Sequence, residues 1–154
     1  MSTLGTLATT HTVVDDKGLV RLISDQDGYA QIENELGKIF ALKDSVGKAY
    51  AIDHSSHSDI GLWEAVAAET IEGQNSVAWK QFRLGNLYAV KVYKYNPFWI
   101  EQFGSSGSLF PGTTEFLQAE ENFEKDFDNN GLIGFAKIID STPRIKTATI
   151  NDNL

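Results

Sequence analysis

Near its C-terminal end the chain reads Asp126-Phe127-Asp128-Asn129-Asn130-Gly131-Leu132-Ile133-Gly134. Oxygen-bearing side chains stand at the first, third and fifth positions, and glycine at the sixth. Alternate spacing aims three oxygens at one hard cation, and the glycine permits the sharp turn that brings them together. The pattern is the opening of a calcium-binding loop of EF-hand or dockerin type. Asp126, Asp128 and Asn130 would supply side-chain oxygens, Leu132 would supply a backbone carbonyl, and apolar Ile133 would anchor the loop to the core. Position twelve departs from the pattern, because a complete loop carries a bidentate glutamate there and this chain has Lys137. The expected cofactor is therefore calcium in a half loop, set against a plainer Asp/Asn-rich turn without metal.

Two further clusters could carry chemistry. Asp53, His54, His57 and Asp59 offer imidazole and carboxylate ligands for a transition metal. Their serine-rich surroundings fit a solvated loop better. Tyr93, Tyr95, Phe98, Trp99 and Phe103 form an aromatic group, most of which should complete a core. If the segment from Phe98 to Gln102 is a strand, Phe98 and Ile100 share one face while Trp99 and Glu101 share the other. Tyr93, Tyr95 and Trp99 are then the expected partner-binding residues, with Trp99 the most exposed. No catalytic residue is expected. Gly104-Ser-Ser106-Gly107 misses the spacing of a nucleophile elbow and lacks the lysine of a phosphate loop.

The elements that must position these residues are mostly strands. Gly18 to Ser24 and Tyr29 to Glu33 flank Asp27-Gly28 and predict a hairpin. Lys38 to Leu42 and Ala49 to Asp53 flank a turn through Gly47 and predict a second. Ser76 to Arg83 and Leu87 to Lys94 predict a third, in which Val77 and Trp79 alternate with Ala78 and Lys80. Residues 37–43 and 85–91 resemble each other, which suggests a duplicated hairpin with a period of about 48 residues. After a Gly/Ser-rich loop, Glu115 to Asp126 predicts the one good helix, capped by Thr113 or Thr114. Phe116, Ala119, Glu120, Phe123 and Phe127 recur at helical spacing. Glu120, Glu121 and Glu124 are expected on a solvated outer face. Phe135 to Ile139 predicts a closing strand. The fold expected is mainly β, built of repeated antiparallel hairpins, with one C-terminal helix leading into a dockerin-like half EF-hand loop. Residues 1–140 should form a single domain and 141–154 a polar tail.

Composition narrows the partners. A chain of 154 residues with a formal net charge of −8 has no basic patch with which to neutralise phosphates, which argues against nucleic acid. It has no cysteine, so neither disulfides nor thiolate chemistry enter. No apolar run approaches the roughly 20 residues needed to span a bilayer. The first residues lack a basic region and a long apolar run, so export by a non-Sec route is the expectation if the protein leaves the cell.

Three blocks occur in order: Gly61-Leu-Trp63-Glu-Ala-Val66-Ala-Ala-Glu69, then Val77-Ala-Trp79-Lys80 with Leu87-Tyr88-Ala-Val90, then Ala119 to Asp126 leading into the acidic loop. Together they resemble the tryptophan-rich C-terminal domain of cyanobacterial surface and hemolysin-like proteins, over roughly residues 32–134. Ala65 stands where that family has proline, and Asp128 and Asn130 exchange its Asn and Asp. The resemblance implies a non-catalytic module that accompanies calcium-binding repeats in secreted proteins. Three functions stay open: a calcium-stabilised structural or adhesion module at the cell surface, a cytoplasmic assembly subunit that binds another protein or itself through an aromatic strand face, or a carbohydrate-binding module for a cell-surface polysaccharide.

Overall fold

Alternating strands joined by tight glycine-containing turns pair readily with their immediate neighbours, and the chain does this twice. The computed structural model describes residues 11–53, 62–135 and 137–138. Strands β1 (His11–Asp15), β2 (Arg21–Asp25), β3 (Ala30–Glu33) and β4 (Ile39–Ala41) form one antiparallel sheet in sequential order. Longer strands β5 (Leu62–Ile71), β6 (Gln74–Arg83), β7 (Asn86–Tyr95) and β8 (Glu101–Ser105) form a second, also sequential. Helix α1 (Thr114–Phe123) follows, then a small ribbon of β9 (Leu132–Ile133) and β10 (Lys137–Ile138). The chain is thus mainly β, with antiparallel sheets and one helix among the described residues. The His54–Asp59 cluster, the side chains of Phe103 and Lys137, and the tail from residue 141 lie outside the described part.

Four turns are built alike. In each, an Asp or Asn Oδ1 accepts the backbone N–H groups of the residues two and four further on. Asp25 takes Asp27 and Tyr29, Asn34 takes Leu36 and Lys38, Asp44 takes Val46 and Lys48, and Asn96 takes Phe98 and Ile100, all at 2.8–3.0 Å. The fourth residue of each turn is left-handed. Gly28, Gly37 and Gly47 have φ between +82° and +89°, and Trp99 takes the same place at +63°. This turn is the real internal repetition. The proposed duplication relates a three-residue edge strand, β4, to a ten-residue strand, β7, so the likeness of 37–43 to 85–91 reflects generic strand alternation.

The second sheet is covered on both faces. Toward the first sheet, Ala65, Ala68, Val77, Trp79, Tyr95 and Trp99 pack on Val20, Leu22, Ala30, Ile32 and Leu42. Toward the helix, Val66, Ala67, Ala78 and Val90 pack on Phe116, Ala119, Phe123 and Phe127. The result is three layers: sheet, sheet, helix. Strand β5 departs from alternation because Ala65 to Ala68 is continuously buried, as expected of a strand with two covered faces. A bulge between Ala65 and Ala67, opposite Trp79 and Ala78, puts the consecutive residues Val66 and Ala67 into the helix-side core while Ala65 and Ala68 face the other sheet.

Helix α1 begins where Thr113 accepts the Phe116 N–H at its Oγ1. It stops at Phe123, three residues short of the Asp126 end expected from the sequence. Glu124 adopts a left-handed cap at φ +52°, its N–H turning back to Glu120 and Glu121 carbonyls. That early stop releases Asp126 from the helix into the acidic loop. Lys125, just beyond the cap, lies 3.7 Å from buried Asp15 and ties this corner to β1.

Candidate functional site

The acidic loop folds around its first aspartate. Asp126 accepts the Asn130 N–H at 3.2 Å through Oδ1 and the Gly131 N–H at 2.9 Å through Oδ2. Gly131 makes the turn possible with φ +89°. Asn130 Oδ1 accepts the Leu132 N–H at 2.9 Å where β9 begins. The helix contributes the residue that holds the loop shut. Glu120, fully buried, accepts Phe127 N–H through Oε2 at 2.8 Å and Gly134 N–H through Oε1 at 3.0 Å. Glu120 therefore does not belong to the solvated face expected from the sequence. An acid inside the stripe Phe116, Ala119, Phe123 was the available signal, and the two loop N–H groups are what make its burial tolerable.

Glu120, Asp126 and Asp128 each bring one carboxylate oxygen within 4.8 Å of the other two. Asn130 and Leu132 stand next along the loop, outside this trio. Two unit charges at such a distance repel by roughly 3 kcal/mol at an effective dielectric near 20. Burial pushes the Asp128 carboxyl above the usual carboxylate range, and a hydrogen bond and repulsion from Asp126 push the same way. Glu120 is raised as well, first by burial, with its two backbone hydrogen bonds acting against the shift. Asp128 Oδ1 is buried without a hydrogen-bond partner. Among the described residues no lysine or arginine comes within ion-pair distance of the trio. Lys80 feels Asp126 and Asp128 only at longer range, and its own burial lowers its pKa. A proton or a cation would relieve this arrangement, and an all-oxygen donor set suits a hard cation.

The aromatic set has another role than expected. Tyr95 and Trp99 are 1% and 2% exposed, and they pack against each other with ring centroids 6.0 Å apart. Trp79 Nε1 donates to the Tyr95 hydroxyl at 3.2 Å. Tyr93 is half-buried against the same core. The outward residue is Phe98, 64% exposed. The face assignment inverts because residues 96–100 form an Asx turn, and strand alternation does not apply across it. Tyr95 and Trp99 are core residues, not a partner-binding surface.

No curated protein and no solved structure matches the chain. Residues 29–134 match the family described as the tryptophan-rich Synechocystis species C-terminal domain. That span exceeds half of the 154 residues and runs from the first Asx turn through the acidic loop, so the chain belongs to this tryptophan-rich domain family.

Proposed function

We propose that the protein is a non-catalytic structural or adhesion module of a cyanobacterial surface or secreted system, with calcium as a structural ion in a dockerin-like half loop. The convergence of Glu120, Asp126 and Asp128, with Asp128 Oδ1 buried and unpaired, supports the reading. Asp126 and Asp128 would hold the ion by carboxylate, Asn130 by its amide oxygen and Leu132 by its carbonyl, with Glu120 as the inner acid. The ion would neutralise the trio and fasten the loop to α1. Lacking a glutamate at position twelve, the site should be weak, with Kd about 10⁻⁴–10⁻³ M. At a hundredfold excess of calcium over Kd the linkage stabilisation is about 2.7 kcal/mol.

Thermal melts in chelator and in 10–50-fold excess calcium over that range test it, with magnesium as the control. A calcium-specific rise in Tm is expected, with heat on titration. Superimposable melts and no titration heat would sink the calcium assignment. Fractionating native cells into medium, surface wash and cytoplasm tests the location, and a purely cytoplasmic protein would overturn the surface reading.

A further inference from the structure

A cleft of about 560 Å³ opens between the two sheets, away from the acidic loop, with Asn34, Phe40, Gln74, Asn96, Trp99 and Gln102 in its lining. Its size falls within the roughly 300–1,000 Å³ usual for small-molecule sites. Two of the four Asx turns line it, and both of these carry asparagine. The two turns that carry aspartate, at Asp25 and Asp44, do not reach it. The turn itself uses only Oδ1, so aspartate would serve equally well in all four. What asparagine adds is the Nδ2 donor.

In Asn34 and Asn96 the Oδ1 is pinned by two backbone N–H groups, which fixes the direction of Nδ2 at no further entropic cost. Neither Nδ2 has a hydrogen-bond partner among the described residues. The glutamines are held in the opposite sense. Gln74 Nε2 donates to the Asn75 and Tyr95 carbonyls, and Gln102 Nε2 to the Ile100 carbonyl, leaving each Oε1 as an acceptor. The aromatic ring beside them is Phe40, half-buried against the core with the Lys38 ammonium 5.1 Å from its centroid. Among the lining residues only Glu35 is charged, in a chain of net charge −8.

We propose that this cleft binds a neutral oligosaccharide. Fixed amide donors and acceptors beside an aromatic ring match a ligand that presents hydroxyl, ether and carbonyl oxygens around a CH-rich ring. Among the lining residues an anionic ligand would find no cationic partner. The site shares no residue with the acidic trio, so it stands or falls separately from calcium.

The test titrates the full chain with cellotriose, maltotriose, xylotriose and triacetylchitotriose, with a Gly-Ser hexapeptide as the control, and follows amide and indole signals by NMR in chelator and in calcium. At least one saccharide should shift the Asn34 and Asn96 side-chain amide signals in both conditions. The variant Asn34→Asp/Asn96→Asp should melt like the parent, because the chain already uses aspartate in two such turns. It should bind roughly tenfold or more weakly, since acceptor-only oxygens of the ligand lose their donors. Asp25→Asn, away from the cleft, should leave affinity unchanged. Silence from all four saccharides, unchanged binding by the double variant, or shifts with the peptide alone would each overturn the proposal.

Discussion

Glu120 and Asp126 are both acids of one cluster, yet they should respond differently to substitution. Glu120 is fully buried and satisfies two loop N–H groups from opposite ends of the loop. Glu120→Gln keeps one acceptor and turns an amide N–H against the other donor. Leaving a buried donor unsatisfied costs about 1–3 kcal/mol, so this variant should lose stability in chelator as well as any calcium response. Asp126 is only half-buried, and the N–H groups it accepts are exposed. Asp126→Ala should lose the calcium response while melting nearly like the parent in chelator. Urea melts of both variants in each condition check this. Equal losses in chelator would make Asp126 a turn residue first and remove it from the ligand set.

The element that departs furthest from local preference is the turn at residues 96–100. Three of its counterparts have glycine at the left-handed position, and this one has Trp99. A left-handed non-glycine residue costs about 1–2 kcal/mol, whereas removing a buried tryptophan costs about 3–5. The core contact wins, which is why the strain persists. The two costs separate experimentally. Trp99→Gly and Trp99→Ala both lose the indole, but only glycine relieves the backbone. The glycine variant should therefore be the more stable by about 1 kcal/mol, the reverse of the usual order in regular structure. Chemical denaturation of the two variants measures the difference. An alanine variant as stable as the glycine one would mean that the turn is not strained.

Across the whole molecule, the layers are joined by a buried carboxylate. Asp15 of β1 reaches the Ala68 N–H of β5 at 3.4 Å and Lys125 beyond α1 at 3.7 Å. Burial raises its pKa, and Lys125 opposes the shift without cancelling it. A carboxyl that holds its proton more tightly in the folded state adds stability at low pH. That stability is lost as pH rises from the ordinary carboxylate value, about 4, through the raised folded one. Glu120 and Asp128 shift in the same direction. Metal-free protein should therefore lose stability as pH rises through the weakly acidic range, and Asp15→Asn should flatten part of that slope. Urea melts in chelator at pH 4.5 and 7 give the slope, and an identical slope in the variant would place the proton uptake elsewhere.

Period-two alternation, helical spacing and glycine-turn signals are local, and they sufficed for the hairpins around Gly28 and Gly85, for the mainly β class and for the helix, whose cap is Thr113, one of the two threonines expected. The spacing Asp126, Asp128, Asn130 and Gly131 likewise marked an acidic turn, because its side-chain acceptors and its left-handed glycine are written into adjacent residues. What tertiary structure alone decided are the positions where a distant partner changes the environment. Glu120 is buried because the loop returns two N–H groups to it. Ala65 to Ala68 occupies two cores because a bulge meets layers from both sides. Trp99 faces inward because its backbone turns left-handed in exchange for packing against Tyr95. No sequence window contains those partners, so side-chain type and period could not assign the faces. The contrast between asparagine and aspartate in four equivalent turns was present in the sequence throughout. It acquires meaning only when the fold brings two of those turns to the edge of one cleft.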